Sequence, residues 1–423
     1  IGGEIVEVNI IDFLHDSYQE GLRNLAQVQS ETYEEAIEKY RDSFISEIIL
    51  MRRKGNDINS INKKTNRIIE FINEIPIEDI EEFFNKILSV YIMWIDSKGK
   101  EALKNFEDIL DSINYKQFKY DLSNNILFRG RQCDSILTPF DMFHIPFNKR
   151  YLIGNQRYSL TGQPLLYLGF SVLDILAELD NNYYDYKNIK LCAYKMKVGF
   201  NVLDLRNSFY EYFQEDPLEN ILVNSDDVFL LGYNDIKEKF FKFILASICT
   251  FEKRQEHRKF SFCEEYVLPQ MLAQIAKEND FNGIIYSSTK LKNKDNDRLH
   301  KSAYKDNVAI FTNFCRNHVY DSELYSKFKI SNPISQNHIK AITIDKIKEL
   351  CDSIKVLDTE QNYRDYYLLG EKLDYNFSDI TIDDKKYFEI SIGQMHIYLV
   401  YNILIDIRNE CIIKGRERHE FSN

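Results

Sequence analysis

The chain has 423 residues, 44% hydrophobic and 28% charged, with 29 Phe, 28 Tyr and a formal net charge of −12. That length exceeds one typical core, so two or three domains are expected, and the aromatic content excludes a disordered chain. The acidic balance excludes non-specific nucleic-acid binding, which needs clustered Lys and Arg to neutralise phosphates.

Seven cysteines (Cys133, Cys192, Cys249, Cys263, Cys315, Cys351 and Cys411) are scattered, with no CxxC or CxxH spacing. Reduced thiols and no metal centre are expected. No run reaches about 18 apolar residues, so no membrane-spanning helix is expected. With no signal peptide visible, a cytoplasmic location is expected, and the start at Ile1 implies processing.

Residues 1–120 read as helical. Thr32 and Glu35 form a capping-box pattern ahead of Ile37, Tyr40, Phe44, Ile45 and Ile48 at helical spacing, and Gly55 marks a stop. Further helices are expected over Ile77–Ile95 and Glu101–Ile113. Arg52, Arg53 and Lys54 suit a helix C-terminus.

From residue 121 the pattern changes. Ile126–Phe128, Leu165–Gly169 and Leu191–Val198 read as strands. The last alternates, which predicts a half-buried strand with Lys195 and Lys197 on the polar face. Ser171 with Asp174 predicts the start of a helix carrying Glu178 about two turns in, among apolar neighbours. A carboxylate there must be paired or face a cavity, and Asp174 lies four residues before it on the same face.

Residues 207–262 read as a helical insertion. A helix with Pro269 in its first turns follows, then the strands Gly283–Ser288 and Val308–Phe311 around a polar loop of about twenty residues. Lys290, Lys292, Lys294 and Arg298 of that loop suit an anionic ligand. Over 317–423, Ile339–Ile344 reads as a strand and about Gln394–Ile413 as an amphipathic helix.

Three stretches carry the chemistry: ILFRGR at 126–131, YSLTGQPLLYLGFSVLDILAE at 158–178, and GIIYSS at 283–288. Together they resemble the RES domain, a family of NAD-consuming toxins in bacterial toxin–antitoxin pairs. The resemblance spans about residues 121–316 and neither end of the chain. It implies an α+β fold with a compact ADP-ribosyltransferase-like split β-sheet core. An N-terminal helical region (1–120) and an α/β C-terminal extension (317–423) would flank that core.

By the same resemblance Glu178, Arg129 and Ser288 are the catalytic residues. Arg157, Tyr158, Tyr167, Arg131, Tyr286 and Asn307 are the expected substrate-binding residues, and spacing leaves open which arginine meets the pyrophosphate. NAD is a substrate rather than a cofactor, inorganic phosphate is a candidate co-substrate, and no metal is needed. An antitoxin is the implied protein partner, and the appended regions suit self-inhibition or homo-oligomerisation.

The residue types fit that chemistry. Cleaving the nicotinamide–ribose bond passes through an oxocarbenium-like centre, as glycoside hydrolysis does. It requires donors for the pyrophosphate, an aromatic wall for nicotinamide, and a carboxylate against developing positive charge. Two rival readings stand beside it. One is an ADP-ribosyltransferase using Arg157, Ser159 and Thr161 with Glu264 or Glu265. The other is an inactive RES-like binding module.

Overall fold

The computed structural model describes residues 10–54, 63–180, 188–197, 199–207, 209, 232–254, 256–257, 259–290, 306–359, 377, 380–382 and 385–420. It forms two compact units. One comprises residues 1–118, 155–158 and 205–278, and the other residues 119–154, 159–204 and 279–423. These units cut across the boundaries drawn from sequence. The described residues of 207–262 and the helix after them group with the N-terminal helices, while those of 317–423 group with the sheet.

The first unit is helical: α1 (Ile10–Phe13), α2 (Asp16–Val28), α3 (Tyr33–Lys54), α4 (Lys63–Glu74), α5 (Ile77–Ile95) and α6 (Gly99–Ser112). Returning chain adds α8 (Tyr233–Cys249) and α9 (Val267–Glu278). Thr32 Oγ1 accepts from Glu35 N–H at 3.2 Å, while the Glu35 carboxylate reaches Glu31 N–H at 3.0 Å. The core is aromatic, with Tyr40 packed 5.6–6.0 Å from Phe44, Phe84 and Phe251. Arg52 donates to the carbonyls of Ile72 and Ile75, and so caps α4 rather than its own helix.

The second unit is a mixed α+β assembly built on an eight-stranded sheet. Its strands are β1 (Lys119–Asp121), β2 (Ile126–Gln132), β3 (Leu165–Gly169), β4 (Ile189–Met196), β5 (Asn201–Leu205), β6 (Gly283–Ser287), β7 (Asp306–Phe311) and β8 (Phe328–Ile330), in the order β1-β5-β6-β7-β3-β2-β4-β8. The helices are α7 (Val172–Glu178), α10 (Ser322–Ser326), α11 (Gln336–Ile339), α12 (Ile344–Thr359) and α13 (Ser391–Glu420). A two-stranded ribbon, β9 (Thr381–Ile382) with β10 (Lys385–Lys386), precedes α13.

Alternation divides the sheet into two faces. Ile126, Phe128, Leu191 and Ala193 pack against α7, α12 and α13. Leu127, Leu166, Leu168, Cys192, Tyr194, Val308 and Ile310 form the other core with Met142, Phe143, Leu324 and Phe328.

The link between β2 and β3 is thin. One pair, Phe128↔Gly169, joins them among the described residues, whereas β2 pairs with β4 over the whole run from Ile126 to Gln132. The two strands therefore diverge beyond Phe128.

Two expectations need correction. Ile339–Ile344 is not a strand. The Ser335 capping box with His338 starts α11, and Thr343 Oγ1 accepts from Lys346 N–H at 3.3 Å as α12 begins. Local caps outweigh a short apolar run. Lys195 does not face solvent. It is fully buried, its ammonium donates to the Ser123 carbonyl, and β4 is covered on both faces. Val198 and Gly55 lie outside the described residues.

Candidate functional site

Helix α7 starts where its sequence says it should. Ser171 Oγ accepts from Asp174 N–H at 3.1 Å, and Asp174 Oδ2 accepts from Ser171 N–H at 2.8 Å. The helix lies against β2 so closely that Gly130 has no room for a side chain. A Cβ there would sit 2.4 Å from Ile175 Cγ2. This accounts for the glycine in the Arg-Gly-Arg of β2.

At the far end of α7, Glu178 meets two strands that are distant in sequence. Ser288 Oγ donates to Glu178 Oε1 at 3.0 Å, and Asn307 Nδ2 donates to the same oxygen at 2.8 Å. Asn307 sits opposite Tyr286 in the β6–β7 ladder and opposite Gly169 in the β3–β7 ladder. Gly169 in turn faces Phe128 of β2, so one row of partners links the carboxylate cluster to the point where β2 and β3 separate. Ser287 turns away to Asp306 Oδ1 at 3.4 Å.

Only one oxygen of Glu178 is anchored. Oε2 takes no hydrogen bond among the described residues. Asp174, one turn back, is buried, and burial together with the nearby carboxylates of Asp306 and Glu178 pushes its carboxyl well above the usual range. Its Oδ1 has no partner among the described residues.

Arg129 occupies the split. Its side chain leaves β2 on the face opposite Phe128 and Gly130, and Nη1 donates to the Tyr167 carbonyl at 2.9 Å. Its Nε has no partner among the described residues, and no carboxylate there forms an ion pair with it. Burial lowers the guanidinium's pKa from its ordinary value, with Tyr194 and Cys192 opposing and Arg131 adding to the effect. Arg129 is half-buried, and a partly desolvated cation without a counter-ion gains from a visiting anion.

Not every nominated residue joins this cluster. Arg131 is exposed and donates to the Asp141 carbonyl. Tyr167 hydroxyl donates to Ser159 Oγ at 3.4 Å. Tyr286 is buried beside Asn307. Arg157 and Tyr158 belong to the helical unit. There Arg157 Nη1 donates to the carbonyls of Cys249 at 2.7 Å and Phe251 at 3.0 Å, and the guanidinium lies 5.0 Å from the Tyr266 ring.

Glu265, offered for the transferase reading, is also in the helical unit. It is buried and accepts from Arg254 N–H at 3.3 Å, Gln27 Nε2 at 3.4 Å and Cys263 Sγ at 3.1 Å. Those bonds describe an internal tie. His144 is another tie, with Nδ1 2.8 Å from the Ile145 carbonyl and Nε2 accepting from Asp321 N–H at 2.9 Å.

Lys290 shows what sequence reasoning missed. Its ammonium is 3.0 Å from the Glu178 carbonyl oxygen and 3.0 Å from Asp180 Oδ1, so it is engaged within the protein rather than held out toward a ligand. Lys292, Lys294 and Arg298 lie outside the described residues. Among the described residues no group of three or more His, Cys, Asp or Glu is placed to hold a metal, and no helix is long and apolar enough to cross a membrane.

The fold and the site thus define an α+β protein with a carboxylate held by Ser and Asn at the end of a short helix. Comparison with known proteins adds one relative. Over 352 residues the chain is 25% identical to a protein of Bacillus subtilis (strain 168) named "Putative toxin YopC", covering 76% of this chain and 75% of the relative. No family model matches, and no solved structure matches.

Proposed function

We propose that the protein is a RES-type NAD-cleaving toxin that breaks the nicotinamide–ribose bond at Glu178, by hydrolysis or by phosphorolysis. The observation that carries this reading is the half-anchored carboxylate. Ser288 and Asn307 fix Glu178 through Oε1, and Oε2 remains to meet ribose hydroxyls and the positive charge that develops at the anomeric carbon. Arg129 supplies a half-buried cation of the planar, bidentate kind suited to the pyrophosphate. Tyr167, whose carbonyl accepts from Arg129, supplies an aromatic ring on the strand that borders the split.

A toxin role agrees with the name of the relative, and an antitoxin is the partner such a role calls for. The transferase reading is weaker because Glu265 and Arg157 are spent on internal bonds of the helical unit.

The test is incubation of the pure chain with NAD, with and without phosphate, and chromatographic resolution of the products. Nicotinamide release abolished by Glu178→Ala and by Arg129→Ala is the expected result. ADP-ribose as second product means hydrolysis, and ADP-ribose 1″-phosphate means phosphorolysis. Intact NAD under every condition would refute the proposal.

A further inference from the structure

The segment after β6 grips Glu178 at both ends. Ser288 Oγ donates to the carboxylate at 3.0 Å and accepts from Lys290 N–H at 3.3 Å. Two residues on, Lys290 Nζ donates to the main-chain carbonyl of the same Glu178 at 3.0 Å and to Asp180 Oδ1 at 3.0 Å. The helix ends at this point. Asp180 adopts the left-handed conformation (φ 54°), and its N–H donates to the Ala177 carbonyl at 3.0 Å.

A helix as short as Val172–Glu178 cannot hold its own last turn. Its final carbonyls lack donors within the helix, and a cation there is favoured by the dipole. Lys290 supplies both donor and charge. Asp180 holds the ammonium in place and is itself fixed by the helix terminus.

We infer that Lys290 is a positioning residue for Glu178: it pins the last turn of α7 to the β6 segment while Ser288 orients the carboxylate. The inference rests on Glu178 being the reacting carboxylate. The Lys290 ammonium is engaged by the Glu178 carbonyl and the Asp180 carboxylate. It sets where Glu178 sits, and small displacements of a catalytic group are costly to rate.

The experiment compares Lys290→Met, Lys290→Arg and Asp180→Asn in the full chain, with two readouts. The first is hydrogen exchange at the Leu179 and Asp180 amides, both of which close the last turn. The second is steady-state NAD turnover. Lys290→Met is expected to speed exchange about tenfold and to lower kcat about tenfold with KM within about twofold. Lys290→Arg restores both readouts, and Asp180→Asn shows a smaller loss of each. In a Ser288→Ala background Lys290→Met costs less than it does alone, because both residues act through Glu178.

Unchanged exchange in Lys290→Met overturns the clamp. A raised KM with unchanged kcat overturns it too, because Lys290 would then be a substrate ligand. If the unaltered chain leaves NAD intact, the proposed activity fails, and the exchange readout alone still decides whether Lys290 pins α7.

Discussion

Gly130→Ala is the sharpest single perturbation the fold offers. The added Cβ would lie 2.4 Å from Ile175 Cγ2, 3.1 Å from Leu179 Cδ1 and 3.2 Å from Leu191 Cδ2. Carbon atoms settle at about 3.5–4.0 Å, so Ile175 must retreat by roughly 1 Å. Neither β2 nor α7 has slack, because β2 is paired to β4 along its length and Ile175 and Leu176 are buried. Overpacking of this kind costs about 1–3 kcal/mol. The displaced helix carries Glu178 one turn beyond Ile175, so turnover should fall by roughly 10- to 100-fold.

Denaturant midpoints with NAD turnover on the same preparations measure both effects. A second variant isolates the cause. Ile175→Ala removes the methyl that the new Cβ meets, so Gly130→Ala with Ile175→Ala should destabilise by less than the sum of the two single changes. Gly169→Ala is the milder control. Its Cβ would meet Asp174 Cβ at 3.0 Å, Ile175 Cδ1 at 3.0 Å and Asn307 Oδ1 at 3.2 Å. A Gly130→Ala protein with the original midpoint, or strict additivity in the double variant, would refute the account of α7 packed onto β2.

Other outcomes follow from buried polar groups. Burial lowers the Lys195 ammonium from 10.5 to about 7, with Asp121 opposing the shift. The unfolded chain therefore holds that proton up to pH 10.5 while the folded chain releases it near 7, so stability rises with pH across that interval. Lys195→Met should remove the slope and stabilise the sheet unit at pH 7 by about 1–3 kcal/mol, read from denaturant midpoints at several pH values. His396 is buried in α13, and burial lowers it to about 3. Its neutral ring contributes stability above pH 6.5 that is lost as pH falls toward 3, and His396→Gln should flatten acid unfolding over that range. Arg157→Ala should cost the helical unit about 1–3 kcal/mol by leaving the Cys249 and Phe251 carbonyls without their donor. An unchanged midpoint with a raised KM for NAD would instead assign Arg157 to the substrate.

Elements with strong local signals could be read before folding. The capping pair Ser171 and Asp174, the helix Ile77–Ile95 and the strand Leu165–Gly169 rest on contacts within a few residues, and each is found at those positions. The burial of Lys195 could not be read. Its alternation with Cys192, Tyr194 and Met196 looks half-polar until α13 and the β1–β2 connection cover the strand. The α11–α12 break was missed because Ser335 caps ahead of the apolar run and Thr343 caps inside it. Ser288 and Asn307 were nominated through a family resemblance rather than spacing, and the fold places both on Glu178. Lys290 and Asp180 carried no signal toward each other. They are 110 residues apart, and their contact exists only once β6 and α7 are docked.

On the proposed reading, the substrate is an anionic ligand with a cationic centre, and two groups of the sheet unit bear on it. Glu178 keeps one oxygen unengaged among the described residues, although two neutral donors already hold the other. Arg129 keeps a buried Nε without a partner. The Arg129 nitrogen is a buried polar atom left unpaired, which costs about 1–3 kcal/mol. No ion pair joins the two among the described residues, because alternation sends Arg129 to the opposite face of β2 from the row that holds Asn307. What the separation leaves is a cation at the split and a carboxylate at the end of α7. A dinucleotide with a negative pyrophosphate and a positively charged nicotinamide presents the matching pair of charges. A wholly anionic substrate would match Arg129 and leave Glu178 uncompensated, and a neutral one would match neither.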